Sequence, residues 1–213
     1  MLLRIRLKHE AGQWEVLIRL SPRPLSVRAW RVADMKGALN AAVAHAMVHL
    51  TKPQAVGQFS QSNLWFWNAA GGTAAWPHPR RLIGCDIDAT ALQYAQANLK
   101  AAQLQDRVEL YDWDARSLNL PDRSVDAICA DLPFGIAVGA HAQNVAHYPA
   151  ILAEAARVAK PRGHFVLMTQ EVTLLEALVQ DNPTWKVLDQ MMLTLRGLHP
   201  RIFVLQRTAL PVR

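Results

Sequence analysis

The sequence predicts an α/β fold on a mostly parallel sheet preceded by a short β-hairpin, and three observations carry that expectation. Short apolar runs alternate with segments of helical period from residue 63 onward, the pattern of strands joined by crossover helices. Successive runs end on or near an acid, at Asp86, Asp114 and Asp131, and the carboxyl rim of an open sheet is where such folds bind ligands. The last two runs, Val187–Leu195 and Ile202–Leu205, stand close together as a paired ending.

Taken in order, residues 2–8 and 14–20 alternate apolar and polar around His9-Glu10-Ala11-Gly12-Gln13, a hairpin signal. Ser21-Pro22-Arg23-Pro24 breaks that pattern, and Leu25 to Arg31 mixes arginine with Trp30. Such a mixture suits either a nucleic-acid-binding surface or a rim strand with one Trp packed inward. From Gly37 the period is helical, with Leu39, Val43, Met47 and Leu50 on one face and Pro53 as the stop. Asn63 to Asn68 reads as the first buried strand and Ala69-Ala70-Gly71-Gly72-Thr73 as the loop after it. Arg81–Asp86 is the second strand, and Asp88 is suited to cap a helix carrying Leu92, Ala95, Leu99 and Ala102. Val108–Tyr111 is the third strand and Val125–Asp131 the fourth. Pro149 suits the first turn of a helix bearing Ile151, Leu152, Ala155 and Val158, which Pro161-Arg162-Gly163 stops. A fifth strand is expected over His164–Thr169 and a short helix over Thr173–Val179.

Composition narrows the function classes. Of 213 residues, 51% are hydrophobic and 19% charged, ordinary for a globular chain with a full core. No apolar run nears the roughly 20 residues a membrane helix needs, and the alternating N-terminus is unlike a signal peptide; the expectation is a cytoplasmic protein with no membrane partner. Cys85 and Cys129 both lie inside strand-like runs, so buried small side chains are expected, with no metal and no disulfide framework. A nucleophilic role for Cys129 is disfavoured by the same placement. The net charge of +6 is uneven: residues 1–36 carry eight Lys/Arg against three acids, residues 181–213 five against two, and the middle ten against twelve. Basic ends around an acidic middle suit either a polyanion bound across the ends or a solvated basic surface. His141 and His147 are expected in a polar loop after the fourth strand, as solvated residues.

The chemistry centres on Asp131-Leu132-Pro133-Phe134-Gly135. An acid followed by x-Pro-aromatic at a strand end resembles the motif with which amino-group methyltransferases hold a flat base. With Lys36-Gly37-Ala38-Leu39-Asn40-Ala41, Ile83-Gly84-Cys85-Asp86-Ile87-Asp88, Trp113-Asp114-Ala115 and Gly197-Leu198-His199-Pro200-Arg201-Ile202-Phe203, the chain from about 25 to 207 resembles class I S-adenosylmethionine-dependent methyltransferases. Within these it looks like the RNA guanine-N2 methylases that often carry an RNA-binding THUMP domain. The resemblance implies a Rossmann-like methyltransferase domain over 36–213, with helices on both faces of a mostly parallel seven-stranded sheet. Residues 1–35 would be the hairpin segment before it.

The resemblance also implies roles. S-adenosylmethionine would be the cofactor and RNA (tRNA or rRNA) the partner. Asp86 would bind the cofactor ribose, Ile87 pack on its adenine, and Asp114 meet its amino group, with Asn68, Gly71 and Gly72 in the glycine loop. The side chain of Asp131 and the carbonyl of Leu132 would accept hydrogen bonds from an exocyclic base amine. Pro133 would fix the turn and Phe134 stack on the base. The glycine loop departs from the family pattern, because after Asn68 the glycine spacing is collapsed and only eight residues, two of them proline, separate Thr73 from Leu82. That leaves little room for a crossover helix and predicts weakened cofactor binding. Two alternatives stay open: a non-catalytic RNA-binding relative, and amino methylation of DNA or protein glutamine.

Overall fold

The computed structural model describes residues 2–8, 13–19, 27–34, 39–51, 63–66, 81–135, 140–180, 182–195 and 197–209. Strands β1 (Leu2–Lys8) and β2 (Gln13–Arg19) pair antiparallel, Leu2 opposite Arg19 and Lys8 opposite Gln13. A second sheet contains β3 (Asn63–Phe66), β4 (Arg81–Asp86), β5 (Val108–Asp112), β6 (Val125–Asp131), β7 (Ala159–Thr169), β8 (Trp185–Met192) and β9 (Arg201–Arg207). Its order is β5-β4-β3-β6-β7-β9-β8. Neighbours from β5 to β7 are parallel, whereas β9 is antiparallel to both β7 and β8. Strand order switches at β3, with β4 and β5 added on one side and β6 and β7 on the other, so the crevice at the carboxyl ends of these strands is the place where an open α/β sheet takes a ligand.

Four helices flank this sheet among the described residues: α1 (Ala41–Leu50), α2 (Ala89–Ala101), α3 (Ala140–Val158) and α4 (Val172–Val179). The strand pleat divides the core between two faces. Ile128, Ala130, Phe165, Leu167 and Phe203 pack with Tyr148, Ile151, Leu152 and Leu175 of α3 and α4. Their neighbours Cys129, Val166, Met168, Ile202 and Val204 pack with Ala44, Met47 and Val48 of α1. Helix ends are closed locally: Asn40 accepts from the Ala42 N–H at 2.9 Å and Asp88 from the Thr90 N–H at 2.8 Å. Residues 27–34 lie against this body through Asn98, which exchanges two 2.9 Å hydrogen bonds with the backbone of Ala33.

Two sequence expectations are corrected here. Pro149 does not open its helix. It lies inside α3, whose first half comprises residues read from sequence as a polar loop, so His141 and His147 are helical. Proline removes the bond to the carbonyl of residue 145, but Val145 and Pro149 lie on the exposed face, so the lost bond falls away from the buried side of the helix. The buried face meanwhile runs unbroken through Asn144, Tyr148, Ile151, Leu152 and Ala155. Pro161-Arg162-Gly163 likewise does not precede the fifth strand but forms a bulge within β7. Val125 pairs with Ala159 and Ala127 with His164, and the intervening residues loop out with Arg162 at φ 66°. Gly163 suits the bulge because a Cβ there would stand 2.9 Å from the Lys160 carbonyl oxygen and 3.0 Å from that of Asp126.

Candidate methyl-transfer site

The site forms where β4, β5, β6 and β7 end. At the end of β4, Asp86 accepts a 3.0 Å hydrogen bond from the Asp88 N–H, which turns the chain into α2. Ile87 between them is 61% exposed, so among the described residues an apolar side chain stands bare at the rim with no core contact to account for it. Past β5, Asp114 is held by Arg116, whose Nε lies 2.9 Å from both carboxylate oxygens and whose backbone N–H donates to Oδ1 at 2.8 Å. Those hydrogen bonds, with a smaller field from His147, hold the Asp114 carboxyl below its usual range. Tyr111 and Trp113 stack with centroids 4.1 Å apart and planes 5° from parallel. Asn68, Gly71 and Gly72, with the rest of the glycine loop, lie outside the described residues.

At the end of β6, Asp131 is half-buried, yet its Oδ1 is sealed from solvent and has no hydrogen-bond partner among the described residues. Burial pushes its pKa from 3.8 up to about 7, because no donor repays the ionised form for lost hydration. The chain then turns with Leu132 buried, its N–H donating to the Met168 carbonyl at 2.9 Å. Pro133 is exposed, and Phe134 packs partly against the α1-side cluster. Gly135 ends the motif at φ +67°, with its Cα facing Glu171 so closely that a Cβ would overlap the carboxylate. Both facts require glycine.

What holds this turn was not legible from the sequence. The Pro133 carbonyl accepts from Tyr148 Oη at 2.6 Å and from Asn144 Nδ2 at 3.0 Å. Tyr148 Oη lies 2.6 Å from Thr169 Oγ1, which in turn accepts from the Glu171 N–H at 2.8 Å. Donor counting fixes the direction. The Glu171 amide gives to Thr169, Thr169 to Tyr148, and Tyr148 to the Pro133 carbonyl. Asn144, Tyr148 and Thr169 are each at most 2% exposed, so buried polar groups from α3 and β7 converge on one peptide of the motif. Glu171 also reaches Asn144 Nδ2 (3.3 Å) and His141 Nδ1 (2.8 Å). A sequence signal did exist, since 141, 144, 148, 151, 152 and 155 fall on one helical stripe, obscured by its polar first half.

The arrangement sorts the chemistry. Cys129 is buried, and burial together with the neighbouring Asp131 charge raises its thiol pKa, so it is no nucleophile. No group of three or more His, Cys, Asp or Glu among the described residues could hold a metal ion. What remains is a recessed acceptor in a rigid turn, beside a rim bearing Asp86 and a bare isoleucine. Asp86 and Ile87 suit the ribose and adenine of a nucleoside cofactor. Asp114 fits less simply, because Arg116 already occupies its oxygens.

The mouse tRNA (guanine(6)-N(2))-methyltransferase THUMP3 is 31% identical over 151 residues, covering 65% of this chain and 30% of that protein. The bovine U6 snRNA (guanine-N(2))-methyltransferase THUMPD2 is 43% identical over 60 residues, 28% of this chain and 12% of that protein. The chain thus spans less than a third of the length of these relatives. Among solved structures, TrmN from Thermus thermophilus superposes with a TM-score of 0.77 at 22% identity, covering 96% of this chain and 60% of that one, which establishes an α/β methyltransferase fold. The family model described as UPF0020, RMKL-like, methyltransferase domain matches residues 68–201, well over half of the sequence and inclusive of the Asp131 turn. The chain belongs to this family of methyltransferase domains.

Proposed function

We propose that the chain transfers a methyl group from S-adenosylmethionine to the exocyclic N2 amine of a guanine in tRNA or another RNA. The observation that carries this reading is the sealed, unpartnered Oδ1 of Asp131 at the head of Asp-Leu-Pro-Phe-Gly. A buried acceptor without a donor is costly in the free protein, and a base amine supplies the missing donor. The amine's lone pair is delocalised into the purine ring. Hydrogen bonds to Asp131 and to the Leu132 carbonyl pull on its protons and favour a pyramidal nitrogen with its lone pair directed at the methyl carbon. Asp131, with its pKa pushed up to about 7, would take the proton that the amine sheds when the methyl passes to it from sulfur, the C–S bond breaking to leave a neutral thioether as the N–C bond forms. Phe134 stacks on a base swung out of its helix, and Pro133, held by Tyr148 and Asn144, keeps the turn in place.

Asp86 accepts from the ribose hydroxyls of the cofactor and Ile87 covers its adenine; the cofactor, when bound, supplies a methyl already activated on sulfonium. Positioning therefore supplies most of the catalysis. We read residues 36–213 as one Rossmann-like domain with helices on both faces of a mostly parallel seven-stranded sheet, and residues 1–35 as a hairpin segment before it. The basic ends suit a polyanionic partner, and the absence of a long apolar helix among the described residues is compatible with the cytoplasmic setting we assign. The test is incubation with methyl-labelled S-adenosylmethionine and bulk RNA followed by nucleoside analysis. Label in N2-methylguanosine is expected, and no incorporation refutes the reading.

A second reading is an RNA-binding relative without turnover, favoured by the collapsed glycine spacing and by Arg116 on Asp114. Calorimetric titration with S-adenosylmethionine separates the two, because micromolar binding excludes it.

A further inference from the structure

Asp131 Oδ1 is not the only stranded acceptor at this rim. Among the described residues, the buried side-chain atoms without a partner are Asp131 Oδ1, Gln170 Oε1, and two nitrogens of Arg207. Arg207 lies at the far end of β9, opposite Trp185, away from the motif. The two oxygens belong together. Asp131 pairs with Met168 across β6 and β7, and Gln170 follows two residues later, just past the end of β7.

The strand pleat places Asp131 on the same face as Met168, two residues before Gln170. Cys129, Val166 and Met168 join the α1-side cluster, whereas Ala130 and Leu167 join the α3-side cluster. The pleat sends Asp131 toward the α1 side and Thr169 toward α3, where Thr169 indeed meets Tyr148; the same alternation carried one residue past β7 would put Gln170 on the α1 side. Phe134, the ring available for stacking, packs against the α1-side cluster as well.

We infer that Gln170 is a specificity-determining residue which, with Asp131, reads the two adjacent donors on the Watson–Crick edge of guanine, an assignment that rests on the guanine-N2 reading above. Guanine presents its N2 amine beside N1–H, two donors in a row, to two acceptors in a row. Adenine and cytosine also carry an exocyclic amine, but each places a ring-nitrogen acceptor beside it. That lone pair would face Gln170 Oε1, and meeting it would require the Gln170 amide to turn over. A pocket built to satisfy a hydrogen-bond donor rejects an analogue lacking it by a factor of about 100 or more. Asp131 thus addresses the amine that is methylated, and Gln170 the neighbour that identifies the base.

The test pairs binding with turnover on the full chain. The probes are guanosine and 2-aminopurine riboside, which keeps the amine but replaces N1–H by an acceptor, each titrated by NMR with S-adenosylhomocysteine present. The parent is expected to favour guanosine at least tenfold. Gln170→Met should erase that preference and Gln170→Glu, which keeps an acceptor, should retain it. Equal binding of both nucleosides by the parent, binding of neither, or an unchanged preference in Gln170→Met overturns the inference. Should Gln170→Met fail to fold, the parent's ratio and that of Gln170→Glu decide. Failure of the parent reading has a different signature. If RNA incubation yields no N2-methylguanosine, that reading falls, while the nucleoside preference still judges Gln170. If N2-methylguanosine forms without a guanosine preference, only the Gln170 inference falls.

Discussion

Replacing Asp131 by asparagine should make the protein more stable, by an amount that depends on pH. The folded-state pKa of Asp131 is raised from 3.8 to about 7 by burial. The native state therefore holds its proton where the unfolded chain has released it. The stabilisation this represents is complete below about pH 4 and is lost as pH rises through about 7. At higher pH the native site contains an ionised carboxylate with one sealed, unpartnered oxygen. The displacement is worth ~4 kcal/mol between pH 4 and pH 8. Asparagine has no such dependence, so the difference between Asp131→Asn and the parent should grow by about that much across the range. With a urea dependence of about 2.5 kcal/mol per molar, this moves the denaturation midpoint by roughly 1.5 M. The assay is equilibrium urea unfolding of both proteins at pH 4, 6 and 8. A difference that stays constant with pH, or shrinks as pH rises, would refute the claim that Asp131 is a desolvated acid awaiting a donor.

Other perturbations address the frame of the site. Gly135→Ala places a methyl group at φ +67° against the Glu171 carboxylate and should cost ~2 kcal/mol in urea unfolding; Glu171→Ala in the same chain should recover part of that loss by relieving the overlap. Tyr148→Phe removes the donor to the Pro133 carbonyl and leaves that acceptor and Thr169 poorly satisfied, for ~1–3 kcal/mol, read as a fall in the thermal midpoint. Ile87→Ala removes a side chain that touches little in the free protein. Stability should hardly change, while calorimetry should show S-adenosylmethionine affinity falling about tenfold.

Much of the candidate site was legible because its residues are consecutive. Asp131 to Gly135 carry acid, turn and aromatic in one run, and Asp86 ends the apolar pattern of β4, with Ile87 beside it named by the family resemblance. Asp88 as a helix cap was equally local. The supporting shell was not, since Asn144, Tyr148, Thr169 and Glu171 reach the motif from 11 to 36 residues along the chain and each is an unremarkable polar residue by type. Pro149 obscured the matter further. It reads as a helix start, but packing of the buried stripe on either side overrides the single missing hydrogen bond. Gln170 carried no sequence signal, because its significance lies in having no partner. The family resemblance supplied an amino donor for Asp114, whereas the fold gives that carboxylate to Arg116 two residues on.

The measurement that bears most directly on the account is nucleoside analysis of RNA incubated with methyl-labelled S-adenosylmethionine, run side by side for the parent and Asp131→Ala. The account predicts label in N2-methylguanosine for the parent and a rate about 100-fold lower or less for the variant. Label in another nucleoside, or equal incorporation by the two proteins, would contradict it.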